Sequence, residues 1–266
     1  MGGGADSRAM KPSFHQQLRD GQSLVGILLT TASREIAEVI QQAGFDWVFI
    51  DTEHGVVDPA GAQGLLQALS AGPPALVRIP NNDPAWFKKV LDAGADGVIV
   101  PLVRSADDAR KAVACAKYPP VGTRSVGVGR AHGYGARFKD YVDHANDTVS
   151  LVLQIEHIDA VNQLDDILAV PGIDAAFVGP FDLSASMGLI GDVKHPSVRD
   201  AIESVRKRCA ARGLPLGIFA TSAEGAAEAI AAGFGFVAIG SDLGLFATAA
   251  SQMVKTTKTL VARRPG

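Results

Sequence analysis

Gly44-Phe-Asp-Trp-Val-Phe-Ile50 has three echoes further along the chain: Gly94-Ala-Asp-Gly-Val-Ile-Val100, Gly172-Ile-Asp-Ala-Ala-Phe-Val178 and Gly233-Phe-Gly-Phe-Val-Ala-Ile239. Each copy is a glycine that stops a helix, two linking residues, and an apolar run of the length of a buried strand. Working outward, further apolar runs fall at about 23–30, 75–80, 149–155 and 215–220, so the echoes open the second, fourth, sixth and eighth strands at about 45–50, 97–101, 174–179 and 235–240. The runs are nearly continuous in hydrophobicity, as in strands covered on both faces of a parallel sheet.

Helical periodicity fills the gaps. From Ser33 to Ala43, Ile36, Val39, Ile40 and Ala43 share one face, with Ser33 a suitable N-cap and Gly44 the stop. Further helices are predicted over roughly 58–71, 83–93, 105–117, 157–169, 197–212, 222–232 and 242–261. A doubly wound open sheet also alternates strands with helices, but eight of each point to a single-domain (β/α)8 barrel of the TIM type, α/β in class, over residues 21–262. The segment at about 119–148 is an insertion in this scheme, and residues 1–20 read as a flexible N-terminal tail without the apolar core of a signal peptide.

Composition narrows the function. The formal net charge is -3 and 47% of the 266 residues are hydrophobic. That leaves no electrostatic footprint for nucleic acid or an anionic membrane, and the glycine-punctuated stretch 214–240 is not a membrane span. Cys115 and Cys209 have no C-x-x-C partner, which disfavours a zinc site or a disulfide framework and suits a reducing cytoplasm. No lysine stands at a strand end to form a Schiff base, and no dinucleotide or P-loop glycine motif follows a strand.

In barrels of this kind the chemistry gathers at the C-terminal ends of the strands. There stand Asp51-Thr-Glu-His54, Arg78 inside an apolar run, Gln154 and Glu156 after the fifth strand, and Asp182 after the sixth. Glu156 and Asp182 side by side are costly unless they share a proton or a cation, and a hard divalent cation takes few protein carboxylates. The competing reading makes Glu156 a carboxylate at a helix start and Asp182 the N-cap of a short helix at Leu183–Met187. Arg78 cannot shed its charge, so it stabilises an oxyanion or enolate, or else pairs with a structural carboxylate such as Asp92. His54 with Asp51 resembles a base and its orienting carboxylate, although Asp51 could instead cap the next turn and His54 could be an ordinary loop histidine. Glu53 is without an assigned role, one option being a hydrogen bond to a water on the metal.

The motifs Phe45-Asp-Trp-Val-Phe-Ile-Asp-Thr-Glu-His-Gly55, Val77-Arg-Ile-Pro80, Val121-Gly-Thr-Arg124, Leu153-Gln-Ile-Glu156 and Phe177-Val-Gly-Pro-Phe-Asp-Leu-Ser184 resemble the HpcH/HpaI aldolase family of metal-dependent pyruvate aldolases. The resemblance runs from about Leu24 to Ala262. It implies reversible cleavage of 4-hydroxy-2-oxo acids to pyruvate and an aldehyde through a pyruvate enolate, with a divalent ion (Mg²⁺, Mn²⁺ or Co²⁺) on Glu156 and Asp182. It makes His54 the base with Asp51 its neighbour, and Arg78 the enolate stabiliser. Gln154 and Phe181 become substrate contacts beside Asp182, and Asp92 a carboxylate supporting the base from an adjacent subunit of a hexamer in which the last helix packs on a neighbouring barrel. The chain departs from the heptanedioate aldolases at Phe181, where they carry a small residue, and over Ser125–Gly135. Macrophomate synthase, a relative with oxaloacetate decarboxylase activity, resembles it at the aromatic position, so decarboxylation is the alternative, and a non-catalytic keto-acid-binding barrel a more distant one.

Overall fold

The computed structural model describes residues 13–262. Eight strands, β1 (Leu24–Leu29), β2 (Trp47–Asp51), β3 (Ala75–Arg78), β4 (Gly97–Val100), β5 (Ser150–Ile155), β6 (Ala175–Val178), β7 (Leu216–Ala220) and β8 (Phe236–Ser241), pair in sequence order, and β8 closes on β1. Every pairing is parallel. The chain is thus a closed (β/α)8 barrel. The covering helices are α2 (Arg34–Gln42), α3 (Pro59–Ala68), α4 (Pro84–Asp92), α5 (Ala106–Ala116), α6 (Phe138–Thr148), α7 (Ile158–Asn162), α8 (Leu164–Leu168), α9 (Pro180–Ser186), α10 (Pro196–Ala211), α11 (Ala223–Ala231) and α12 (Asp242–Ala262), preceded by α1 (Phe14–Arg19).

The repeated motif performs two tasks. Its glycines take left-handed φ values of +88° (Gly44), +94° (Gly94), +94° (Gly172) and +97° (Gly233), which a side chain would strain. Three of them directly follow a helix's last cap residue, while Gly172 lies three residues beyond Ala169, which caps α8. The aspartates in the first three copies tie each even strand to its predecessor. Asp46 accepts the backbone N–H of Val25 at 2.8 Å, Asp96 that of Ala75 at 2.8 Å, and Asp174 that of Leu151 at 2.7 Å.

Strand side chains alternate between the barrel interior and the helix layer. Leu24, Trp47, Phe49, Leu76, Ile99, Val152, Phe177 and Phe236 fill the interior, whereas Ile27, Val48, Val77, Val98, Leu151 and Val237 join the outer core beneath the helices. Trp47 fits because Gly26 has no side chain: a Cβ there would lie 2.4 Å from the indole.

Four expectations change. Residues 13–20 are not a tail. Ser13 accepts the Gln16 N–H at the start of α1, and Phe14, fully buried, sits 5.4 Å from the Trp47 ring and 5.3 Å from that of Phe236. The lower end of the barrel needs an apolar stopper, and Phe14 and Leu18 supply it; residues 1–12 lie outside the described residues. The insertion holds a 3₁₀ turn at Arg130–His132 and α6. The helix expected over 157–169 is two short ones, α7 and α8, broken at Gln163. Gly179, not Asp182, is the cap residue of α9, so Asp182 stands in its first turn. Helix α12 leaves Leu245, Phe246, Met253, Val254, Leu260 and Val261 exposed on this single chain. Among the described residues, no helix is long and apolar enough to cross a membrane.

Candidate active site

The inward rows turn polar at the C-terminal ends of the strands. On β2 the row runs Trp47, Phe49, Asp51; on β3 it runs Leu76, Arg78; on β5 it runs Val152, Gln154 and then Glu156 just past the strand. Two-residue periodicity therefore aims Asp51, Arg78, Gln154 and Glu156 into one mouth. A cavity of about 150 Å³ occupies that mouth, lined by His54, Arg78, Gln154 and Asp182 on its polar side. Sequence reasoning placed these four together, and the fold brings them together.

Arg78 and Asp51 are register partners on adjacent strands. The Arg78 Nε donates to Asp51 Oδ1 at 2.9 Å and its Nη2 to Oδ2 at 2.7 Å, a two-pronged pair that fixes the guanidinium plane. The guanidinium also lies 5.2 Å from the Phe49 ring centroid. Burial opposes the arginine's charge, but the Asp51 hydrogen bonds and the charges of Asp51, Glu53 and Glu156 outweigh it and raise its pKa. The structural partner weighed for Arg78, Asp92, is thus replaced by Asp51 and Glu53. Asp92 ends α4 below the barrel, where it accepts Arg124 Nη2 at 2.7 Å; within one chain it does not approach His54.

Asp51 does not hold the His54 ring either. Its Oδ1 accepts the backbone N–H groups of Glu53 at 3.0 Å and His54 at 3.3 Å, so it shapes the loop and aligns Arg78. The His54 side chain is 67% exposed, and its Nε2 lies 3.9 Å from Glu53 Oε2. Glu53 is the residue that sequence left unassigned. Its Oε2 lies 3.2 Å from Arg78 Nε, whose hydrogen already points at Asp51, so Glu53 receives positive charge without a hydrogen bond. Burial, offset by Arg78 and reinforced by Glu156, Asp51 and Asp182, pushes its carboxyl up to about 7.

Glu156 is almost wholly buried. Its Oε1 accepts the Leu102 N–H at 2.8 Å and its Oε2 the Gln154 amide. Burial raises its pKa against those two bonds, and the charge of Asp182 adds to the rise. Gly179 passes so close that a Cβ would stand 3.0 Å from Glu156 Oε2. Gln154 Oε1, also buried, accepts no hydrogen bond from the described residues. Among those residues no cluster of three or more His, Cys, Asp or Glu side chains could hold a metal; Asp182 is near enough to Glu156 for its charge to be felt there.

The apolar side of the cavity was missed. Leu28 of β1 and Phe219 of β7 line it together with Phe49, Phe177 and Phe181. The signal was available: Phe219 follows Gly217 on the inward row of β7, as Arg78 follows Leu76 on β3.

A closed barrel with ionisable residues at the C-terminal mouth and a small cavity among them defines an enzyme of the (β/α)8 class. The HpcH/HpaI aldolase/citrate lyase family profile matches residues 24–249, and the chain belongs to that family. It is 40% identical over 236 residues to a 2-dehydro-3,6-dideoxy-6-sulfogluconate aldolase from Pseudomonas putida, covering 88% of this chain and 92% of the relative. It is 40% identical over 242 residues to a hydroxypyruvate/pyruvate aldolase from Sagittula stellata, covering 90% and 95%. The crystal structure of a family member from Burkholderia cenocepacia superposes with a TM-score of 0.89 at 34% identity, covering 92% of this chain and 98% of that one. The protein is accordingly an enzyme, an aldolase of the lyase class.

Proposed function

We propose that the protein is a divalent-metal-dependent aldolase that cleaves 4-hydroxy-2-oxo acids reversibly to pyruvate and an aldehyde. The observation that carries this reading is the shared cavity onto which Arg78, Gln154, His54 and Asp182 all open. At about 150 Å³ it matches the volume in which an engineered apolar cavity takes up benzene, enough for a keto acid of pyruvate's size.

The residues fit a hard cation. Glu156 and Asp182 offer only oxygen donors, and each Glu156 oxygen has a lone pair left after its one hydrogen bond. Gly179 keeps the approach to Oε2 free of a side chain. Two protein carboxylates leave positions for water and substrate, as suits Mg²⁺, Mn²⁺ or Co²⁺. When bound, such an ion supplies Lewis-acid polarisation of the keto acid.

The chain's own residues do the rest. In cleavage, His54 takes the proton from the C4 hydroxyl, the C3–C4 bond breaks, and its electron pair passes into the enolate of pyruvate while C4 becomes the aldehyde carbonyl. Arg78, held rigid by Asp51, places fixed positive charge against the enolate as it forms. The Gln154 amide and the backbone N–H of Phe181 orient the keto acid's carboxylate. In the same reading Asp92 of a neighbouring copy supports His54, and the exposed apolar face of α12 packs on a neighbouring barrel of a hexamer.

The test is release of pyruvate from a panel of 4-hydroxy-2-oxo acids, with oxaloacetate alongside, before and after EDTA. Glu156→Ala and metal stripping should each lower turnover about 10³-fold, the several kcal/mol that a Lewis acid contributes. Full activity of the stripped enzyme, or of Glu156→Ala, defeats the metal assignment.

A further inference from the structure

The cavity has two unlike walls. On one stand Arg78, Gln154, His54 and Asp182; on the other stand Leu28, Phe181 and Phe219. Phe181 and Phe219 meet edge to face, with ring centroids 6.3 Å apart and an interplanar angle of 63°. Phe181 remains 44% exposed, so its ring contributes less to the core than to the lining of the mouth.

Charge on the apolar side is absent among the described residues. Arg78 is the one lysine or arginine of those residues that lines the cavity, and its guanidinium is already bonded by Asp51 and paired with Glu53. Of the segments beside that wall, those after β1 and β7 read Thr30-Thr-Ala-Ser33 and Thr221-Ser222, Asp242 follows β8, and the connection from α9 to α10 carries the exposed Lys194, which is not among the lining residues. Asp242 is itself an anion, satisfied by the N–H and hydroxyl groups of Thr30 and Thr31. Arg34, just past the first of these loops, packs on Gly64 of α3. An aldehyde tail bearing its own acid group would therefore be desolvated against two phenyl rings, near Asp182, with no cation but the already paired Arg78 among the lining residues to meet it.

Resting on the aldolase reading above, we infer that the aldehyde partner is uncharged and apolar, a simple aliphatic or aromatic aldehyde whose side chain lies on Leu28, Phe181 and Phe219. In the condensation direction the methyl carbon of pyruvate gives up a proton and bonds to the aldehyde carbon. The carbonyl π pair passes to the aldehyde oxygen, which takes up a proton to become the C4 hydroxyl. Only the aldehyde's substituent faces the aromatic wall, so that wall acts on aldehyde choice.

The experiment compares kcat/KM for pyruvate condensing with butanal, benzaldehyde and succinic semialdehyde, using the metal-loaded full chain. The apolar aldehydes should lead by about tenfold or more, the scale on which apolar pockets discriminate. Phe219→Lys should swing that ratio toward the semialdehyde by about tenfold, and Leu28→Lys, from a different strand, should do the same if the first variant folds poorly. A wild-type preference for the semialdehyde overturns the inference, as does a ratio unmoved in both folded variants. Exchange of pyruvate methyl protons into D₂O by the wild-type enzyme, measured without aldehyde, separates the two levels. Exchange together with a semialdehyde preference defeats only the apolar partner; no exchange defeats the aldolase reading beneath it.

Discussion

The two ends of this barrel treat the same kinds of group in opposite ways. At the bottom, Asp174 accepts the Leu151 N–H, lies 3.1 Å from His15 Nδ1 and 3.1 Å from Lys117 Nζ, and has its pKa pulled below the ordinary value although burial pushes the other way. At the mouth, Arg78 faces Asp51, Glu53 and Glu156, and burial raises the pKa values of Glu53 and Glu156, with the charge of Asp182 adding to both. Asp96, also below the barrel, is raised by burial too, but it sits with its backbone bond to Ala75 and not among other carboxylates. Burial is common to both ends. What differs is charge balance: the bottom around Asp174 is neutralised internally, and the mouth is left with negative charge for something else to meet. One end is built for stability; the other is the candidate site.

Removing the stopper should break that division most visibly. Phe14→Ala deletes a fully buried ring from the base of the barrel and should cost about 3–5 kcal/mol of stability, read by chemical denaturation. Its kcat, measured well below the midpoint, should stay within about twofold of wild type, a span worth less than half of 1.36 kcal/mol. A large loss of turnover in folded Phe14→Ala would mean the two ends are not separable.

Arg78→Lys is the reciprocal change. It keeps the charge but loses the two-pronged bond to Asp51, and kcat/KM should fall about 10²-fold, the cost of one donor at a developing oxyanion. Unchanged kinetics would remove Arg78 from the chemistry.

The smallest effect concerns pH. Glu53 titrates near 7 in the folded protein, above the ordinary glutamate value of 4.5, so between those values the folded state holds a proton that the unfolded chain has lost. Stability of the metal-free protein should therefore decline as pH rises from about 4.5 to about 7. Glu53→Gln should flatten that decline, read as Tm against pH for both proteins. Parallel curves would show that Arg78 already holds Glu53 ionised.

Much of the architecture was legible beforehand because the barrel writes itself in local signals. The four glycine-led repeats mark where helices stop and strands begin, and the left-handed φ values at Gly44, Gly94, Gly172 and Gly233 are the reason those positions are glycine. Helix α1 escaped because Phe14 and Leu18 show their value only against Trp47 and Phe236, far along the chain. The break at Gln163 escaped because an apolar helical face continues through α7 and α8.

For the site, sequence alone determined which residues point inward. Alternation along a strand is a property of the backbone, so Asp51, Arg78, Gln154 and Glu156 were committed to the mouth once the strands were recognised. Tertiary structure decided what each meets there. Strand register set Arg78 opposite Asp51 and left Asp92 with Arg124 beneath the barrel. Burial in the mouth, with the neighbouring carboxylates adding to it, raised Glu53, and the convergence of β1, β7 and α9 put Leu28, Phe219 and Phe181 on a single apolar wall. Pairing, burial and charge depend on distances between segments that are remote in sequence, and only the closed barrel specifies those distances.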